Sequence, residues 1–271
     1  ETGVVNREVT FACGVDDGFA PPVTVTWNFG DGSPTATGET VAHVYRVARS
    51  YNVTATAANS VGPTVRNLTP DLIVRSTFGQ FTPDSNTDLL WRKENSVQVW
   101  ELNGLALIRP TPVGSLALAI EVAGSGDFNG DGKADILLRD APSGAVSVQL
   151  MDGPVMMGPP IPLGAASSQW KVAGAGDYDG DGIADVLLFN LANGGTYTWL
   201  CDPAGGVSVV QTVRLGGMAA SLWDCVAGAG DFDKDGRNDV LWRQRTGVLP
   251  VVCAWLMNGT SPAATVRIGA A

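Results

Sequence analysis

Four segments of this chain are copies of one another, and that repetition bounds the fold more tightly than any other feature. They read GQFTPDSNTDLLWR from Gly79, GDFNGDGKADILLR from Gly126, GDYDGDGIADVLLF from Gly176 and GDFDKDGRNDVLWR from Gly230. Their starts are 47, 50 and 54 residues apart. A second block follows each: VWELNG ending at Gly104, VQLMDG at Gly153, TWLCDP at Pro203 and AWLMNG at Gly259. A period of this size means one supersecondary unit repeated, each copy burying its apolar surface against the next.

The unit is made of strands. In one repeat, Trp170 to Ala175 leads into an acidic loop, followed by apolar runs at Val186 to Phe189, Thr196 to Cys201 and Val207 to Leu215. Four short strands in about 50 residues is the size of a propeller blade. Glycine (34) and proline (16) punctuate the whole chain, and no stretch holds helical spacing for the ~11 residues of an average helix. The expected fold class is all-β: an immunoglobulin-like β-sandwich over residues 1–70, then a β-propeller of four four-stranded blades over 71–271. The blades run roughly 71–118, 119–168, 169–221 and 222–271, with Leu72 to Phe78 as the first strand of the first. Trp170 and Trp223, one residue out of register relative to their loops, are expected to mark a bulge.

Three repeats carry the pattern Asp-x-Asp/Asn-x-Asp-Gly-x-x-Asp. It is filled by Asp127, Asn129, Asp131 and Asp135, by Asp177, Asp179, Asp181 and Asp185, and by Asp231, Asp233, Asp235 and Asp239. Calcium takes six to eight oxygens, and alternate side chains of a tight loop can converge on one ion while Gly132, Gly182 or Gly236 permits the turn. The backbone carbonyls of Lys133, Ile183 and Arg237 are expected to add a ligand each. An EF-hand opens the same way but needs Glu at its twelfth position, where this chain has Leu138, Leu188 and Trp242. The expectation is therefore three Ca²⁺ sites in turns between strands. The first repeat has Gln80, Thr82 and Ser85 where the others place Asp, Asp/Asn and Gly, keeping only Asp84 and Asp88, and is expected to be weak or metal-free.

Before the repeats, Val23, Val25, Trp27 and Phe29 alternate with Thr24, Thr26 and Asn28, and Tyr51, Val53, Ala55 and Ala57 with Asn52, Thr54 and Thr56. This is the two-residue period of half-buried strands. His43, the one histidine, is expected to pack in this domain, and Asp31 to serve its turn. Glu1-Thr2-Gly3 is expected to lie outside the fold, and no signal-peptide pattern opens the chain.

The motifs WNFGDGSP from Trp27, HVY from His43 and YNVTATAANSVG from Tyr51 resemble the polycystic-kidney-disease-type (PKD) domain. The repeats resemble the FG-GAP/VCBS family, whose integrin-like members form calcium-bound propellers; those have seven blades where this chain has four. The two resemblances imply a secreted or cell-surface protein, with a sandwich that acts as spacer or interaction module.

A net charge of −10, with 17 Lys and Arg spread along the chain, argues against a nucleic-acid partner. No run approaches the ~18 apolar residues of a membrane span. Eleven of the 27 acidic residues sit in the three loops, and no nucleophile stands beside a base, so the chain is expected not to be an enzyme. Cys13, Cys201, Cys225 and Cys253 are expected to be buried free thiols, and the sequons at Asn52, Asn67 and Asn258 to lie at the surface. Trp100, Trp199 and Trp255 occupy equivalent positions, as do Trp91 and Trp242, which points to packing between blades rather than to sugar stacking. The partner expected at a propeller face is a protein, in an adhesion or interaction module. The alternative is a glycan, bound by an accessory module of a secreted hydrolase.

Overall fold

A computed structural model describes residues 2–4, 8–14, 23–45, 50–59, 62–67, 72–75, 79–82, 86–202, 204, 206–227, 230–233, 235–245 and 251–270. Among them every regular element is a strand, and no helix is long and apolar enough to cross a membrane. The chain forms two compact units, Glu1–Ser76 and Thr77–Ala271.

In the first unit Thr24–Asn28 lies between Ala36–Thr37 and Thr54–Asn59, with Gly62–Asn67 at the far edge. Glu8–Ala12 pairs with Thr40–Val44. Alternation sends Val25, Trp27 and Phe29 into a core with Phe11, Tyr45, Tyr51, Val53 and Ala55, while Thr24 and Asn28 stay outside. The polar tips of the buried rings are paired, Trp27 Nε1 donating to the Gly38 carbonyl at 2.9 Å and the Tyr45 hydroxyl to that of Phe29 at 3.0 Å. Thr2–Val4 runs parallel to Leu72–Arg75, which also pairs with Ser50–Tyr51. This corrects two expectations. Thr2 and Gly3 are part of the fold, and Leu72–Arg75 belongs to the first unit instead of opening the first blade.

Among the described residues the second unit is a series of four larger antiparallel sheets, each built in chain order, with a two-stranded ribbon of Met151–Asp152 and Val155–Met156 beside the second. The first contains Leu89–Lys93, Ser96–Asn103 and Ala106–Ser115. Among the described residues it has three strands where four were expected, because Leu72–Arg75, expected within its first strand, pairs with Thr2–Val4 and Ser50–Tyr51 instead. The second contains Ile120–Gly126, Asp135–Asp140, Ala145–Gln149 and Ile161–Ala165; the third Trp170–Gly176, Asp185–Asn190, Gly195–Asp202 and Ser208–Gly217; the fourth Trp223–Ala227, Val240–Gln244, Val251–Asn258 and Ser261–Ala270.

Successive sheets pack face to face, which is why their strands read apolar on both sides. Ile136 and Leu138 of the second sheet meet Phe81, Val97 and Val99 of the first repeat. Leu137 and Phe128 meet Val172, Val186 and Leu188 of the third, and Tyr178, Leu187 and Phe189 meet Val240, Trp242 and Trp255 of the fourth. The loops clasp as well: the N–H groups of Ala134, Ala184 and Asn238 donate to the carbonyls of Gln80, Asp127 and Asp177 in the preceding repeat at 2.9, 2.8 and 2.7 Å.

The junctions share a register. Gly114, Gly164, Gly216 and Gly269 pair with Val97, Val146, Thr196 and Val252, and each pair adjoins a bulge. A side chain on Gly164 would meet Trp199 at 3.2 Å, and one on Gly216 would meet Trp255 at 3.1 Å. A tryptophan of the later sheet therefore lies on a glycine of the earlier one. Trp170 and Trp223 mark no bulge themselves. The irregularity falls between Val172 and Gly174 and between Cys225 and Ala227, and the second sheet has it between Val122 and Gly124 with Ile120 in the tryptophan's place.

Candidate metal centre

Each acidic loop closes a turn between the first and second strands of its sheet, and its aspartates divide the work. The ninth-position residue is buried and bonds to backbone with both oxygens. Asp135 accepts from Phe128 N–H (3.0 Å) and Met151 N–H (2.9 Å), Asp185 from Tyr178 (3.1 Å) and Cys201 (3.0 Å), Asp239 from Phe232 (2.7 Å) and Met257 (2.9 Å). The loop is thereby stapled to the third strand. The first-position residue caps the loop from inside: Asp127 Oδ1 accepts from Gly130 and Oδ2 from Gly132, Asp177 does the same with Gly180 and Gly182, and Asp231 Oδ2 accepts from Gly236. Gly130 and Gly180 have φ of +75° and +85°, a left-handed backbone that favours glycine.

Positions one, three and nine converge. One carboxylate oxygen from each of Asp177, Asp179 and Asp185 lies within 4.8 Å of the other two, and the same holds for Asp231, Asp233 and Asp239. These two triads can hold a metal ion. In the second repeat the third position is Asn129, whose neutral Oδ1 accepts the Asp131 N–H at 3.0 Å. The fifth-position residues Asp131, Asp181 and Asp235 accept the backbone N–H of Lys133, Ile183 and Arg237 at 2.9, 2.7 and 2.8 Å. Of the residues expected to lend a carbonyl, Ile183 is buried between the second and third sheets. The Lys133 side chain pairs with Asp152 at 2.6 Å, and that of Arg237 with Asp235 at 3.0 Å.

The electrostatics favour a cation. Burial pushes Asp127 up to about 6 and Asp135 and Asp177 up to about 7; neighbouring carboxylates add to the rise, and backbone hydrogen bonds only partly offset it. Asp185 lies well above the usual carboxylate range for the same reason, and Asp239 is raised too. Carboxylates crowded out of water hold their charge poorly unless a positive ion neutralises them, and an all-oxygen set suits a hard divalent cation.

In the first repeat Asp88 keeps the staple, accepting from Phe81, Thr82 and Leu102 N–H at 3.2, 3.0 and 3.1 Å. Thr82 adds its hydroxyl to the same carboxylate at 3.0 Å. Asp84 and Ser85 lie outside the described residues.

His43 packs as expected, stacked on Phe29 with ring centroids 4.0 Å apart. Sequence reading missed its side-chain contact with Asp31, Nε2 to Oδ2 at 2.6 Å, which twelve residues of separation hide. Burial alone would raise Asp31, but hydrogen bonds from Ser33 and His43 hold it below its ordinary value. The Ser33 hydroxyl donates to Asp31 Oδ1 at 2.6 Å. Cys201, Cys225 and Cys253 are buried and free, as expected; Cys13 is free but only half-buried. Burial raises all three buried thiols, Cys225 to about 12. Asn52 and Asn258 are exposed; the side chain of Asn67 lies outside the described residues. Trp242 and Trp255 pack between sheets as expected. Trp91 does not: it is exposed, its ring 4.8 Å from that of Trp100.

Residues 1–70 match the model of the PKD domain and residues 127–188 that of the FG-GAP-like repeat. The second match spans the acidic loops of the second and third repeats, and the two domain types stand in the order the motifs gave. No curated protein matches the chain. Among solved structures, a quinonprotein alcohol dehydrogenase-like protein from Bacteroides thetaiotaomicron aligns at 10% identity and TM-score 0.31, covering 99% of this chain and 94% of that one. A rhamnogalacturonan lyase from Bacillus licheniformis aligns at 14% and 0.25, covering 92% and 47%. At these scores neither likeness bears on function.

Proposed function

We propose that this chain is a non-catalytic, calcium-stabilised interaction module of an extracellular protein, with a PKD-type sandwich ahead of propeller-type repeats. The carboxylate triads carry the reading. Their oxygens converge within 4.8 Å in turns that Asp185 and Asp239 staple to the third strands, which supports a structural role for the ion. Ca²⁺ would be held by Asp177, Asp179 and Asp185, by Asp231, Asp233 and Asp239, and by Asp127, Asn129 and Asp135; when bound it supplies positive charge and rigidity. The two domain matches support a protein partner outside the cell, met by loops at one end of the sheets.

Thermal unfolding with calcium, with magnesium and after chelation tests this. Calcium binding only the folded state raises the midpoint by mass action, and magnesium, which needs tight octahedral geometry, does so much less. A midpoint indifferent to calcium overturns the reading.

A further inference from the structure

The two ends of the four-sheet series each present, uncovered, one half of the junction that is buried three times between them. The residue after the loop's first position is Phe81, Phe128 or Tyr178 in the first three repeats, each fully buried against the following sheet. In the fourth it is Phe232, 50% exposed. Beside it, Val226 and Ile268 are 43% and 55% exposed, whereas their third-sheet counterparts Ala173 and Leu215 pack on the fourth sheet. At the other end Leu89 and Trp91 are 44% and 48% exposed, while Val240 and Trp242 at the same positions are fully buried against the preceding sheet. Trp91 and Trp100, with Lys93, Ser96 and Gln98, line an open cleft of about 260 Å³.

We propose that these faces are the two halves of one interface, and that the first sheet of one copy packs on the fourth sheet of a second copy of this chain. The internal junctions show what covers such a face. Trp199 lies on Gly164 and Trp255 on Gly216; Gly269, paired with Val252, holds the glycine's place in the fourth sheet, and Trp100 holds the tryptophan's in the first. A sugar seated on Trp91 and Trp100 would account for one end only. A second copy accounts for both. The contact is head-to-tail, so it repeats until it closes, and two copies close it with eight sheets, within the four to eight blades such rings take.

Sedimentation velocity of the whole chain with calcium, across the micromolar range, tests the proposal. The expected mass rises with concentration toward twice the 28.1 kDa of the chain. Trp91→Asp and Ile268→Asp change exposed side chains outside the acidic loops and should keep the wild-type calcium-dependent melt. Each alone should stay monomeric, and an equal mixture should form a dimer, because each supplies the face the other lacks. A wild-type chain that is monomeric throughout overturns the interface, as does association that either variant leaves intact. A monomeric chain that binds polysaccharide through Trp91 overturns it in favour of a glycan site. The calcium melt is read separately, so failure of the interface and failure of the metal reading are distinguishable.

Discussion

The first and fourth repeats hold nearly the same residues in opposite circumstances. Leu89, Trp91 and Trp100 stand at the positions of Val240, Trp242 and Trp255, yet the fourth-sheet set is buried on the third sheet, whereas Leu89 and Trp91 are exposed and Trp100 is only half-buried. The loops diverge in the other direction: the fourth carries Asp231 and Asp233 where the first has Gln80 and Thr82, but both keep the ninth aspartate and its backbone bonds. Two functions are thus separable within one motif. Position nine staples the loop to its sheet in the first repeat as in the others, whereas the triad that can hold an ion needs positions one and three as well.

The packing half of this comparison predicts the largest effect. Trp242→Ala should cost about 3–5 kcal/mol, the range for removing a fully buried large aromatic side chain. Trp91→Ala should cost less than about 0.5 kcal/mol in the monomer, as exposed positions do. Urea unfolding at a concentration too low for association reads both. Equal losses would mean the first-sheet face is covered within a single chain.

The loop half predicts a middle-sized effect. Asp185→Ala orphans the N–H groups of Tyr178 and Cys201, and Asp88→Ala those of Phe81, Thr82 and Leu102. An unsatisfied buried donor costs about 1–3 kcal/mol, so each variant should lose roughly 2–4 kcal/mol by the same principle. Asp88→Ala should lose the same with calcium as without. Asp179→Ala, which removes no staple, should be close to wild type after chelation and lose part of the calcium-dependent gain. If Asp88→Ala abolishes a calcium response, the first loop is a metal site after all.

What the sequence made legible follows from what periodicity encodes. The spacing of the repeats located the turns between strands, and alternation located both faces of each sheet, because these are local properties. Whether a face has a neighbour is not local, and Trp91 and Trp242 sit in matching LLWR and VLWR runs. Leu72–Arg75 misled for the same reason: a short apolar strand does not declare which sheet edge it will join, and here Thr2–Val4 and Ser50–Tyr51 supply the edge. The acidic spacing identified which carboxylates can converge on an ion. It could not show that the ninth is already spent on two backbone donors, since Met151, Cys201 and Met257 lie sixteen to eighteen residues away.

The last prediction concerns pH and separates the loops again. Asp135 and Asp177 are raised by burial to about 7 and Asp127 to about 6, against roughly 4 for an aspartate in the unfolded chain. The metal-free folded state therefore binds more protons than the unfolded state between those values. Its stability should fall as pH rises from about 4 to about 7 and change little above. With calcium the slope should reverse, because the ion binds the deprotonated carboxylates and protons compete with it. Urea midpoints at the two ends of this window, with calcium and after its removal, give four values whose order checks the signs. Asp177→Asn should flatten both slopes, removing a proton site and an ion ligand together. A first-repeat variant such as Thr82→Ala, which supplies neither, should leave them unchanged; if it shifts them as Asp177→Asn does, the division of labour between staple and cation site does not hold.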